Sequence, residues 1–492
     1  MAIQGIGSGI GSGMDINGIV KALVDAESAP KTAQLNRLEK ATTAKFSGLS
    51  QFKNALSEFQ TVLKELNNPS LFEKRSASSG KADVFTVKAD ASAVSGNYNV
   101  QVFNLAQTSK VALRGVENPS AQIGTGTLTV SAGDKTINVD VTAENNSLTG
   151  IRDAINASGK SAGISATIVN DPGAEGGARL VLSSSSFGTG NDLSVTSEST
   201  SGDLSVLNFT APETSDFAAQ PIDPDNPLEP RVISYARDAN VAIDGIPISS
   251  ASNEISEAIE GVTITLQKAQ TADELEGAST INLNVGEDKA GVTSAVNKFV
   301  DAYNKLIGTV DSLTSVTSVG GENGEPLAAA LVGDSSVRSF MASMRSELGS
   351  ASSSGGPFRI LADLGVTTQR DGTLAVDDAR LSTALNDNFD KLGGFLTGAD
   401  GLMGRLEGKV KPYAETGGIL ESRTSALQNT LNGPGGVDEQ REQLNRRLEQ
   451  LEARLFSQFN AMDSLVGQLT STSNFLTSAL DSLPGSVRQD KN

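Results

Sequence analysis

Few residues in this chain have the types and spacing that could carry chemistry. Gly159-Lys160-Ser161-Ala162-Gly163 has the Gly-x-Ser-x-Gly spacing of a nucleophile elbow. Such an elbow lifts a serine on a strand-to-helix turn and passes its proton to a histidine. The chain has no His, and these residues read as a Gly/Ser loop leading into a strand, so a serine relay is excluded. The ladder Gly5, Gly7, Gly9, Gly11 and Gly13 never spells G-x-G-x-x-G and follows no strand, so it reads as a flexible tail and not as a phosphate cradle. Asp223 and Asp225 could touch a hard cation, but their prolines and the missing terminal Glu fit a Ca²⁺ loop poorly. Residues 221–230 read instead as a stiff, extended linker. Asp238, Asn240 and Asp244 read as turn residues beside a strand. Cys is also absent, which removes thiol nucleophiles, disulfides and Cys- or His-ligated zinc and iron. The expectation is no catalytic residue, no metal, no cofactor, and a chain that is not an enzyme.

The stronger pattern lies in the apolar residues. Near the C-terminus Leu448, Leu455, Met462, Leu469 and Leu476 fall seven apart, with Leu444, Leu451 and Leu465 in the intervening heptad position. Near the N-terminus Leu35, Leu49, Leu56 and Leu63 alternate with Leu38, Phe52, Phe59 and Leu66. A third series, Val292, Val296, Phe299, Tyr303, Leu306, Val310 and Leu313, steps by four and three. Such stripes need a partner helix. The N-terminal and third series are expected to pack as leg helices. The C-terminal one, after the break Gly433-Pro434-Gly435-Gly436, is expected to serve as an intermolecular assembly interface, with Arg446, Arg447, Glu449, Glu452 and Arg454 setting partner and register. An intramolecular bundle is the competing reading. Pro30 is expected to interrupt the first helix, and both ends to stay without a partner until assembly.

Between the helical ends the period changes to two. Val84–Val87, Tyr98–Val102, Thr127–Val130, Ile137–Val141, Ile164–Val169, Leu180–Leu182, Val241–Ile243 and Val262–Leu266 read as strands. Leu148–Asn156 reads as a helix capped by Ser147. The fold class is therefore multidomain α plus β: an elongated helical leg built from the N- and C-terminal segments, with inserted mainly-β head domains. The expected divisions are a disordered segment 1–30, a leg helix 31–75, a first β head domain from 76–109 and 230–275, an inserted second one 110–229, a helical leg domain 276–433 and a coiled-coil helix 434–492.

Charge agrees with that division. Residues 1–75 carry a net +2 and residues 400–492 a net −2, so the middle holds the whole −19. Nucleic acid and anionic lipid are poor partners for such a head. No run approaches the length of a membrane span, so no membrane insertion is expected. The start has no basic region followed by an apolar core, so if the protein leaves the cell it is expected to do so without a cleaved signal.

Several short motifs, in order, resemble one family. They are Gly7-Ser8-Gly9 with Met14-Asp15-Ile16-Asn17-Gly18-Ile19-Val20; Ser70-Leu71-Phe72; Ser95–Val102 with Leu105-Ala106-Gln107; Ile243-Asp244-Gly245; Glu260–Thr263; and Leu364-Gly365-Val366 with Asp371–Leu374. Residues 126–195, with Ile151–Asn156 and Arg179–Leu182, resemble a module shared by flagellin-type axial proteins. The chain thus resembles the bacterial flagellar filament capping proteins, the hook-associated protein two family. The resemblance implies a homo-oligomeric ring at the filament tip that receives exported flagellin, prevents its loss to the medium and promotes its folding. It further implies secretion through the flagellar type III apparatus, an extracellular location at the flagellum tip, a hook–filament junction protein as neighbour, and an export chaperone on the C-terminal helix. The alternatives are another axial protein (flagellin or a junction protein) and a surface adhesin whose head takes host glycans or proteins.

Overall fold

The computed structural model describes residues 13–170, 177–213, 217–221, 223, 225–317, 327–352 and 356–482. The first four glycines of the N-terminal ladder lie outside them. The chain divides into two units, one of Met1–Leu71 with Ala290–Asn492, the other of Phe72–Lys289.

The first unit is helical. A single 51-residue helix, Ile16–Leu66, opens it, with Asp15 accepting from the Gly18 N–H as N-cap. The expected break at Pro30 is absent, and so is an unstructured stretch reaching residue 30. Proline removes one N–H and crowds the carbonyl four residues back, at about 3 kcal/mol. Burial of Ile16 and Val20 at the helix start opposes that cost. The third apolar series forms Lys289–Thr314, and all its stripe residues are buried. Phe59 meets Phe299 and Tyr303 at ring-centroid distances of 5.9 and 6.0 Å, and Phe52 meets Phe340 at 5.5 Å. Leu49, Leu56, Leu63, Leu66, Val292, Val296 and Leu306 complete this core. Leu38 does not join it: it is 40% exposed. Further helices follow at Ser335–Gly349, Asp378–Leu396, Leu402–Ala414, Ile419–Asn432 and Val437–Asp481. The turn at Asp371 joins the two short strands Val366–Thr368 and Leu374–Val376, as its sequence predicts.

The second unit holds two antiparallel β cores. In the first, a five-stranded sheet runs in the order Arg75–Ser79, Ile281–Glu287, Gly96–Asn104, Ala239–Ile243, Ile246–Ser250, beside a three-stranded sheet Glu254–Ile259, Val262–Leu266, Phe85–Ala89. Val100, Val102, Val241, Leu283, Phe85 and Ile264 lie in the core between them. Strand Ile281–Glu287 belongs here, which corrects its assignment to the leg and moves the boundary to Lys289.

The second core is inserted into the first. Its sheets run Phe209–Thr210, Leu193–Gly202, Gly124–Ala132, Lys135–Val141 and Arg231–Ser234, Thr108–Ala112, Ala178–Phe187, Ile164–Asn170. Helix Leu148–Gly159, capped by Ser147, packs on edge strands of both. A bulge at Gly126 needs glycine: φ is +148° and a Cβ would lie 2.0 Å from the Glu198 carbonyl oxygen. The module is wider than 110–229, because strands Thr108–Ala112 and Arg231–Ser234 and the Tyr235 ring belong to its core. The Pro-rich stretch is correspondingly not a linker between domains. Its Leu228 carbonyl accepts from Gly115, and Glu229 pairs with Arg114 at 2.9 Å.

The chain enters and leaves the module at one antiparallel bridge. The Gln107 N–H donates to Arg237 at 2.9 Å and the Arg237 N–H donates back at 3.2 Å. Removing 108–236 and joining Gln107 to Arg237 through a few glycines should therefore leave the first β core and the helical unit folded. Circular dichroism should show a loss of helix no larger than the 12 residues of Leu148–Gly159. Cutting instead at 115 and 228 strands Val111 and Val232, both fully buried, and should aggregate. Loss of most helical signal in the first variant would show that the bridge is not a domain boundary.

Candidate assembly surface

The described residues among those first weighed for chemistry hold other places in the fold. Ser161 follows the C-terminal end of a helix and precedes strand Ile164–Asn170, the reverse of a nucleophile elbow. The Asp223 carboxylate accepts from the Asp225 N–H and the Asn226 side chain, which hold its pKa below the usual range. Asp238 accepts from Thr189 and Ser249, and Asp244 from Asn99. The Asp223 carboxylate closes a local turn, and those of Asp238 and Asp244 tie together segments distant in sequence. Among the described residues no group of three or more His, Cys, Asp or Glu could hold a metal.

What the structure does build is a helical seam with two different halves. The C-terminal helix runs antiparallel to Ile16–Leu66 in the same chain. Lys31 donates to Gln440 at 3.1 Å, Arg441 pairs with Glu39 at 2.5 Å, and Arg447 pairs with Glu27 at 3.0 Å. Of the flanking charges expected to set register, Arg447 does so; Arg446 instead pairs along its own helix with Glu442. Arg441, which the heptad reading did not single out, makes the most connections, reaching Asn36 as well. Its position at the start of the stripe was the available signal. The ends are thus partnered within one chain over this stretch, a correction to the expectation that both wait for assembly.

The pairing stops short. At 1.5 Å per residue the register places Ile16 roughly opposite Gln458, while the C-terminal helix continues to Asp481. On the paired side Leu444, Leu448, Leu451 and Leu455 are half-buried. Beyond it Met462, Leu465, Leu469 and Leu476 are 41, 57, 61 and 54% exposed. With Leu480, these residues fall within about 60° of the helix circumference at 3.6 residues per turn. One stripe therefore fixes the helix to its own chain and then continues uncovered.

The base of the helix is tied in by neighbours. Ile419–Asn432 packs along the N-terminal helix, with Lys53 and Glu421 3.2 Å apart. Arg423 grips Asp334 through two bonds of 2.9 and 2.6 Å. Asp334 also caps Ser335–Gly349, and the Arg423 guanidinium holds its carboxyl below the usual range. The Gly-Pro-Gly-Gly break then turns the chain at Gly435, where φ is +76°.

Comparison with known proteins agrees with this architecture. Residues 12–109 match the flagellar hook-associated protein 2 N-terminus and residues 236–471 its C-terminus. Residues 127–186, inside the inserted module, match the flagellin hook IN motif. The chain is 42% identical to the A-type flagellar hook-associated protein 2 of Pseudomonas aeruginosa over 484 residues, 98% of each chain. It is 31% identical to the flagellar hook-associated protein 2 of Escherichia coli K12, covering 95% of this chain and 96% of that one. The crystal structure of the flagellar cap protein FliD from Escherichia coli superposes with a TM-score of 0.56 at 28% identity, covering 77% of this chain and 99% of that one. With family matches at both ends and full-length relatives above 40% identity, the chain belongs to the flagellar hook-associated protein 2 family, the flagellar filament cap proteins.

Proposed function

We propose that copies of this chain form a ring at the distal end of the bacterial flagellar filament. There they hold exported flagellin until it folds into the growing tip. The observation that carries this reading is the uncovered half of the C-terminal seam. A narrow leucine stripe on a helix that runs on past the end of its partner is suited to bind other helices without covalent chemistry. The flagellin at the tip and the neighbouring ring subunits are helical partners of that kind in this reading, and the hook–filament junction protein seats the first cap. A type III export chaperone would cover the same stripe before secretion, since an exposed apolar face invites association. Export through the flagellar type III apparatus puts the protein outside the cell.

A second, compatible role as an adhesin is favoured by one surface. The outward side chains of the five-stranded sheet include Asn97, Asn99, Gln101, Asn240, Asn282 and Asn284, with Ser76, Ser78 and the exposed ring of Phe103. None of the outward residues on its five strands is charged, in a chain of net charge −19. Carboxamides beside an aromatic ring suit neutral, hydroxyl-rich host glycans or protein surfaces.

The capping reading is tested by deletion. Cells lacking the protein should make and export flagellin but lose swimming, with monomeric flagellin accumulating in the medium. Electron microscopy should show bare hooks or stubs. Filaments of normal length in the deletion strain would leave only the adhesin reading.

A further inference from the structure

The inserted module contains a strand edge that its sequence does nothing to protect. Ile164–Asn170 is the last strand of its sheet. Its residues Ile164-Ser165-Ala166-Thr167-Ile168-Val169 hold no charge, proline or glycine. Edge strands of this composition pair readily with identical segments, and proteins usually guard them with lysine, proline or a bulge. The edge strand of the facing sheet, Lys135–Val141, does carry exposed charges, Lys135 and Asp140.

On the unguarded strand a side chain stands in for the missing neighbour. Asn156, on the helix Leu148–Gly159, donates from Nδ2 to the Ala166 carbonyl at 2.8 Å and accepts the Ala166 N–H on Oδ1 at 2.8 Å. A carboxamide carries one acceptor and one donor face in the geometry of a peptide unit. It therefore occupies the backbone pair that an added strand would use at Ala166. The opposite edge of the same sheet, Arg231–Ser234, is treated alike. There Gln220 accepts the Val232 N–H on its side-chain Oε1 at 3.1 Å, while its backbone N–H donates to the Val232 carbonyl at 3.0 Å.

We propose that Asn156 plugs the Ile164–Asn170 edge and thereby prevents a second copy of this chain from adding to the sheet through the same segment. The partner excluded is an identical strand, because the segment lacks any charge that would repel its own copy. Subunits gathered for assembly meet at high local concentration, where an open edge would compete with the correct contacts.

The test compares four full-length chains by sedimentation velocity over a concentration series: the parent, Asn156→Ala, Asn156→Asp, and Asn156→Ala with Ser165→Lys. Ser165 is exposed on the edge strand opposite Ser183, so lysine there guards the edge without restoring the plug. Asn156→Ala should form associated species that the parent lacks, growing with concentration. Its Ala166 amide should exchange about five- to tenfold faster, as for the loss of one hydrogen bond. Asn156→Asp, which keeps an acceptor and adds a charge, should stay in the parent's state, and Ser165→Lys should return the alanine variant to it. An alanine variant that sediments like the parent overturns the proposal. So does association that Ser165→Lys fails to reverse, since that would come from general unfolding of the module.

Discussion

Glutamate at both Leu465 and Leu469 should leave the purified chain as stable as the parent and abolish filament growth. The two side chains are 57 and 61% exposed, so folding gains little from them, and exposed substitutions usually change stability by less than about 0.5 kcal/mol. In a helix–helix contact each leucine would contribute about 1.5–3 kcal/mol by burial. A carboxylate in its place adds a desolvation cost of several kcal/mol. The expected result is an unchanged thermal midpoint together with non-swimming cells and flagellin in the medium. Leu451→Ala with Leu455→Ala, on the paired half, should behave differently and lower the midpoint. Normal swimming in the glutamate variant would remove the stripe from any role in assembly. A large drop in its thermal midpoint would mean that the distal stripe is packed within the chain after all.

The largest effect on stability is expected at Phe59. This ring is fully buried in the helical unit, against Phe299 and Tyr303. Phe59→Ala removes both contacts and leaves a cavity, a change that costs about 3–5 kcal/mol in comparable cores. The neighbouring Tyr303 carries a hydroxyl that is buried with no hydrogen-bond partner among the described residues, and burial raises its pKa. For a domain of this size the midpoint should fall by about 10 °C, read from helical circular dichroism. A shift of a degree or two would mean that the two helices hold together through other residues.

The apolar spacing made the helical core legible before the structure. Phe59 and Phe299 belong to series that recur at steps of three and four, and both are buried, while Leu38 of the same pattern is not. Strands with strict alternation, as at Val100 and Val102, were equally plain. Ile281, Leu283 and Val285 alternate just as clearly with Asn and Gly, but a boundary drawn at 276 hid them in the leg. The helix Ser335–Gly349 also had its signal, Asp334 as cap and Val337, Phe340, Met341, Met344 and Leu348 as stripe. Leu193–Gly202 had almost none. Only Leu193 and Val195 are buried in a run of Ser, Thr and Glu, and the strand is fixed by its ladder with Gly124–Ala132, a long-range pairing that local sequence does not encode.

The candidate surface was half legible for a related reason. A heptad states that a stripe needs covering but not by what, so Leu448 and Leu469 look alike in sequence. What separates them is where the other helix begins. The Pro30 rule misled here, because a proline's local cost says nothing of the packing on either side of it.

The bridge between Gln107 and Arg237 has a consequence for how such a chain can change over generations. Two backbone positions held together by a reciprocal pair of hydrogen bonds form a socket of fixed spacing. Any compact domain with adjacent ends could be spliced there without altering a residue of the helical unit. Lineages could therefore exchange this piece wholesale, trading the antigenic identity of the flagellum tip while the machinery of filament growth stays constant. The same socket offers a graft point for displaying a foreign domain at the end of a living filament.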